Sequence, residues 1–133
     1  MKPISVLLVD DSPIFLDIAR RFLQSQATVA VVGTALSGQE AFEQISRLQP
    51  DLVLMDLSMP GLDGLEATRR LKAQPDAPCV VILTLYDNAA YRAQAEAVGA
   101  DGFIAKWQLG PQLLPTLRCL FGDPAVNGLI SPL

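Results

Sequence analysis

Histidine is absent from this chain, which removes the commonest general base and a leading metal ligand from any chemistry it performs. Cysteine is scarce: Cys79 opens an apolar run and Cys119 lies in a leucine-rich segment, and both read as buried, unpaired core thiols. There is no run of Lys or Arg, and the net charge is −4. A surface that tracks phosphates needs clustered cations, so this stretch alone is a poor nucleic-acid binder. The longest apolar runs are of strand length, well short of a membrane span, and Met1-Lys2-Pro3 opens without the long apolar stretch of a signal peptide. The expectation is a cytoplasmic protein with no membrane contact. Internal repeats and low-complexity segments are lacking too.

What is present is globular material. Half of the 133 residues are apolar and 18% are charged, enough for one domain with its own core. Short apolar runs recur at Val6 to Val9, Val29 to Val32, Leu52 to Met55, Val80 to Leu83 and Phe103 to Ala105. They are continuous rather than alternating, as in strands covered on both faces by helices. Between them the spacing turns helical. Ser12 is an N-cap with Pro13 at the first helical position, and Phe15, Ile18, Ala19, Phe22 and Leu23 form the inward set. Ser37-Gly38-Gln39-Glu40 is a capping-box pattern before Ala41, Phe42, Ile45 and Leu48. Leu65, Thr68 and Leu71 mark a third helix. Asp87 is expected to cap a fourth, with Ala90, Ala93 and Ala97 inward, which buries little and predicts a weakly stable element. A fifth, around Leu113 to Phe121, should start late because of Pro111 and Pro115 and stop at Gly122 and Pro124. Five strand–helix repeats predict a doubly wound α/β domain over 1–122 with a five-stranded parallel sheet and five helices.

The polar residues fall at the ends of these strands. Asp10 and Asp11 follow the first, Asp56 the third, Thr84 ends the fourth and Lys106 follows the fifth. Open α/β sheets bind ligands beyond the carboxyl ends of their strands, so these five groups should converge on one edge. Two carboxylates about 4 Å apart repel by roughly 4 kcal/mol at an effective dielectric near 20. Three together raise a pKa or recruit a cation, and an all-oxygen ligand set selects a hard one, with Mg²⁺ the expected ion. Lys106 and the Thr84 hydroxyl complement a phosphoryl group on Asp56, a plausible aspartyl-phosphate nucleophile. Asp63 reads only as a turn and helix-entry residue.

Leu8-Val9-Asp10-Asp11-Ser12, Met55-Asp56-Leu57-Ser58-Met59-Pro60-Gly61-Leu62-Asp63-Gly64, Leu83-Thr84 and Gly99-Ala100-Asp101-Gly102-Phe103-Ile104-Ala105-Lys106 together resemble the receiver domains of two-component response regulators, from about residue 4 to 121. The resemblance implies a flavodoxin-like sheet of order 2-1-3-4-5. It implies Asp56 as phosphoacceptor, Asp11 as direct Mg²⁺ ligand, Asp10 acting through water and the Ser58 backbone carbonyl as a further metal contact. Thr84 and Lys106 would bind phosphoryl oxygens, and Phe103, core in either state, would be the aromatic whose rotamer reports the switch. The donor would be a phosphohistidine on a separate sensor histidine kinase, and the chain would assist only its own phosphorylation and dephosphorylation rather than act as an enzyme. Phosphorylation would close the loop after the fourth strand, turn Phe103 inward and change partner or dimer affinity.

Some positions depart from the pattern. Trp107 stands where many receivers carry proline; it either folds onto the fifth helix or is exposed as a partner contact. Tyr86 and Ser58 occupy positions that tune dephosphorylation in such domains, and a bulky Tyr86 implies a phospho-form lasting longer than seconds. A pseudo-receiver that signals without phosphorylation is the competing reading, against which the complete set of five residues speaks. The stretch 123–133 is similar to the linker of NarL/FixJ-like regulators ahead of a helix-turn-helix domain, which implies a receiver that forms homodimers and meets DNA only through a domain outside this sequence.

Overall fold

The computed structural model describes residues 2–122, so the reading of 123–133 as a linker falls outside the described residues. Strands β1 (Ile4–Val9), β2 (Val29–Ala35), β3 (Leu52–Asp56), β4 (Cys79–Thr84) and β5 (Gly102–Ala105) alternate with helices α1 (Pro13–Gln24), α2 (Gly38–Leu48), α3 (Gly64–Lys72), α4 (Ala89–Ala97) and α5 (Leu109–Phe121). A single 3₁₀ turn, Lys106–Gln108, leads into α5. The strands form one sheet in the order β2-β1-β3-β4-β5, and every pairing is parallel. This is the expected flavodoxin-like arrangement.

The continuous apolar strands do have two buried faces. On β1, Val6 and Leu8 join a layer with Leu16, Ala19 and Leu23 of α1 and Leu109, Leu113 and Leu117 of α5. Leu7 and Val9 join the opposite layer, with Ala41 of α2, Ala67 and Leu71 of α3 and Ala95 of α4. Period-2 alternation thus divides each central strand between two cores. The N-cap side chains engage at the starts of α1, α2 and α3, with the Ser37 half of the expected capping box in place. Ser12 accepts from the Phe15 amide, Ser37 from the Glu40 amide and Asp63 from the Glu66 amide, each satisfying a donor that the first helical turn leaves free.

Four expectations need correction. Ile18 is exposed, and the inward face of α1 is Leu16, Ala19 and Leu23, one residue out of phase at its start. The fourth helix is capped by Asn88, which accepts from the Tyr91 amide, rather than by Asp87. That choice sets the phase: Ala90, Ala93 and Ala97 face water, while Ala95 is buried and Tyr91 half-buried. Helix α5 starts at Leu109, ahead of both prolines, and carries Pro115 in its interior. Pro111 sits in the first turn, where its missing amide costs nothing, and Pro115 faces solvent opposite the Leu109, Leu113 and Leu117 stripe that holds the helix on the sheet. Finally, the cysteines are free as expected, but Cys79 is only half-buried and Cys119 is exposed.

Register carries the fold to the site. Val9 pairs with Met55, Asp56 with Leu83, and Thr84 with Ala105. The residues that follow β1 and β5 and those that end β3 and β4 therefore emerge at one level of the sheet.

Candidate functional site

At that level the structure gathers Asp10, Asp11, Asp56, Thr84 and Lys106. Asp10 (2% exposed), Asp56 (6%) and Thr84 (0%) are three of the few buried polar side chains among the described residues, the fourth being Thr68. Thr68 donates its hydroxyl to the Gly64 carbonyl one turn back and takes no part in the cluster. Asp11 is exposed, and one carboxylate oxygen from each of Asp10, Asp11 and Asp56 lies within 4.8 Å of the others. Lys106 enters from β5: its Nζ lies 2.6 Å from Asp10 Oδ2, 3.6 Å from Asp56 Oδ1 and 4.3 Å from the centroid of the Phe15 ring. Phe15, counted in the sequence only as core, is therefore also a platform for the ammonium.

Each acid has a distinct environment. The Ser12 amide donates to Asp10 Oδ1 at 2.9 Å, which fixes that carboxylate at the entrance to α1. Asp10 Oδ2 is fully buried and, although close to Lys106, receives no aligned hydrogen bond. Asp56 is pushed up to about 6: burial is the main cause, with the Asp10 charge next, while Lys106 and the Ser58 amide pull it part of the way back and Asp11 adds a further rise. Asp56 thus sits in a pocket with too much negative charge for the one ammonium to neutralise.

The loop after β3 is held tightly against this pocket. Leu57 and Met59 are buried, Gly61 adopts φ +74°, and the Gly64 amide donates to the Leu57 carbonyl at 3.0 Å. A Cβ on Gly64 would overlap the carbonyl oxygen of Asp56 itself, deep inside van der Waals contact. Gly64 is thus a supporting residue for Asp56 that reading for ionisable groups overlooks; the signal available was a glycine at the first position of a helix that already had a strong cap. Ser58 is exposed in this loop, and its backbone amide donates to the Asp56 carboxylate.

Across the pocket, Thr84 Oγ1 accepts from the Tyr86 amide at 3.0 Å, which leaves the hydroxyl proton free to be donated. Tyr86 and Trp107 are exposed, at 54% and 62%, so of the two arrangements considered for Trp107 the structure has the exposed one. Phe103 is half-buried rather than core: it packs against the second core layer with the Arg92 guanidinium over its ring.

The donor set fits a divalent hard cation. It offers clustered carboxylate oxygens from Asp10, Asp11 and Asp56, and it raises the proton affinity of the central acid. The sheet edge thus combines a cluster of carboxylates, a hydroxyl whose proton is free to be donated and an ammonium 3.6 Å from Asp56.

Residues 6–118 match the response regulator receiver domain family. The response regulator protein VraR of Staphylococcus saprophyticus is 37% identical over 126 residues, which is 93% of this chain and 59% of that protein. A protein-glutamate methylesterase/protein-glutamine glutaminase of Methanospirillum hungatei is 34% identical over 128 residues, 96% of this chain and 34% of its own. Among solved structures, a LuxR-family two-component response regulator from Aurantimonas superposes with a TM-score of 0.84 at 29% identity, covering 98% of this chain and 97% of that one. The chain spans between 34% and 59% of the length of these two curated relatives.

Proposed function

The chain belongs to the response regulator receiver domain family, and from that premise we propose that Asp56 is its phosphoacceptor, loaded by a sensor histidine kinase in the presence of Mg²⁺. One observation carries the reading: the three carboxylates of Asp10, Asp11 and Asp56 meet within 4.8 Å beside the Lys106 ammonium. Asp11, Asp56 and the Ser58 carbonyl would hold the ion directly and Asp10 through water, and the bound ion would neutralise oxygens of the group in transfer.

The chain's own residues do the rest. Asp56 attacks as the carboxylate; above its pKa of about 6 it is the ionised nucleophile. Lys106, already 3.6 Å from Asp56 Oδ1, offsets charge on one side of the incoming group. The Thr84 hydroxyl donates on another while still accepting from Tyr86. Phosphorylation adds nearly two negative charges and strong acceptor oxygens, which draw Thr84 and Lys106 inward. The loop after β4 closes and Phe103 turns into the space it leaves. A population shift from 1:99 to 99:1 needs about 5.5 kcal/mol of differential stabilisation, which several charge-assisted hydrogen bonds in a partly desolvated site supply.

Output is read through relatives. The LuxR-family structure and VraR are both response regulators by name, and we extend that likeness to a receiver that changes dimer affinity and controls transcription through a DNA-binding domain outside this sequence, in the cytoplasm. The likeness to methylesterases supports a second reading, a receiver that gates an attached esterase domain; the coding sequence adjoining this segment separates the two. Among the described residues no helix is long and apolar enough to cross a membrane.

The reading is tested with acetyl phosphate and Mg²⁺ on the intact chain, followed by Trp107 emission and intact mass. Gain of one phosphoryl group by wild type and none by Asp56→Asn is the expected result. A wild-type protein unchanged in mass and spectrum would favour phosphorylation-independent signalling instead.

A further inference from the structure

The connection between β4 and α4 is tied to the helix at three points. Tyr86 and Tyr91 place their ring centroids 5.9 Å apart, Asn88 caps the helix, and Arg92 Nε donates to Asp87 Oδ1 at 2.7 Å. Arg92 makes a second contact in another direction: its guanidinium carbon lies 4.7 Å from the centroid of the Phe103 ring. One side chain therefore bridges the loop that follows Thr84 and the aromatic of β5. Neither Asp87 nor Arg92 belongs to the carboxylate cluster.

The bridge depends on where Phe103 sits. The ring packs on the second core layer while remaining half-buried, and the Arg92 side chain is 49% exposed. A guanidinium in that position stays hydrated and paired with Asp87 while resting on the ring. If the ring turned inward, the cation would have either to leave it or to follow it into an apolar layer, away from water and from Asp87. The second course costs far more than an exposed cation–π contact returns. The contact is thus compatible with the outward ring alone.

We propose that Arg92 is a positioning residue that latches the resting receiver: it holds Phe103 outward across its ring face and holds the β4–α4 loop back through Asp87. The proposal rests on the reading of Asp56 as phosphoacceptor and of Phe103 and that loop as the moving parts. Both Arg92 contacts open as the switch is thrown, so Arg92 sets how much phosphoryl-dependent stabilisation is needed before the output face changes. An exposed cation–π contact and an exposed ion pair together bias such an equilibrium by about three- to tenfold.

Beryllofluoride with Mg²⁺, titrated into the intact chain, is the probe, followed by Trp107 emission and by the Phe103 ring proton shifts. Arg92→Ala is expected to tighten apparent beryllofluoride affinity by about three- to tenfold and to move the Phe103 shifts toward their bound values before any ligand is added. Arg92→Lys, which keeps a cation over the ring, is expected near wild type, and Asp87→Asn between the two. The urea midpoint of Arg92→Ala should fall only by what the two lost contacts contribute to the resting fold, and those of Arg92→Lys and Asp87→Asn by less; if that of Arg92→Ala falls further, the order of the other two decides. Unchanged or weaker affinity in Arg92→Ala, with a urea midpoint lowered no further than that, overturns the latch and leaves the phosphoacceptor reading intact. A wild-type chain that binds no beryllofluoride overturns both.

Discussion

Replacing Asp56 with Asn should make the metal-free protein more stable at neutral pH, and the gain should vanish in acid. The carboxyl is raised from an ordinary 3.8 to about 6, chiefly by burial and then by the charge of Asp10. A carboxyl with a raised folded-state pKa contributes stability through its protonated form. That contribution is complete below the unfolded value and is lost as pH rises through the folded one. The rise corresponds to about 3 kcal/mol, reduced by movement of Lys106 and by the water that reaches the open side of the pocket. Asn keeps the shape of the protonated acid without the charge. Asp56→Asn is therefore expected to gain about 1–3 kcal/mol over wild type above pH 7, and nothing below about pH 4, with the change between. Urea denaturation of both proteins in chelator across that range measures it. Millimolar Mg²⁺ should then stabilise wild type and leave Asp56→Asn nearly unmoved, since binding to the folded state alone raises stability. A variant that is no more stable at pH 7.5, or a gain that does not change between pH 4 and pH 8, would refute the electrostatic account of the pocket.

Other consequences follow from the same geometry. Lys106→Ala leaves the buried Asp10 without its ammonium and should cost about 3 kcal/mol by urea denaturation in chelator; in a carbon-13 titration it should also move the Asp56 midpoint above 6, because Lys106 is a lowering influence there. Gly64→Ala drives a methyl into the Asp56 carbonyl, so a loss of more than about 2 kcal/mol is expected, together with loss of phosphoryl uptake measured by intact mass. Pro115→Ala restores an amide inside α5 on its solvent face and should raise the urea midpoint by about 1–2 kcal/mol of stability. A phospho-form that outlasts seconds in wild type and shortens in Tyr86→Ala, followed by loss of phosphate over time, would support shielding of the attacking water by the exposed Tyr86 ring.

The architecture and the meeting of the charged groups were legible because each depends on short-range patterns. Continuous Val- and Leu-rich runs of strand length, bounded by turn residues, read as strands buried on both faces, and a polar residue at the end of each run is placed by the parallel register. Helix phase was less legible. In α4 the runs Ala89-Ala90 and Tyr91 to Ala97 supply no strong apolar stripe, so the inward face depends on which of two adjacent residues, Asp87 or Asn88, caps the helix. The same weakness placed Ile18 inward on α1, where Phe15, Leu16 and Ile18 offer competing apolar faces. In α5, proline propensity argued for a late start, and tertiary packing of Leu109, Leu113 and Leu117 overrode it. The contacts that tune the site were hidden for a different reason. Gly64 against the Asp56 carbonyl, Phe15 beneath Lys106 and Arg92 over Phe103 join residues that are distant in sequence or silent in charge, and no local pattern marks them.

We propose the crowded acid at the end of β3 as the residue that becomes phosphorylated. Peptide mapping by mass spectrometry, after exposure to a phosphohistidine-bearing kinase with Mg²⁺, tests it most directly. Modification is expected on Asp56 alone, dependent on the metal and absent from Asp56→Asn. A phosphoryl group found on another residue, or one that persists in Asp56→Asn, would contradict it.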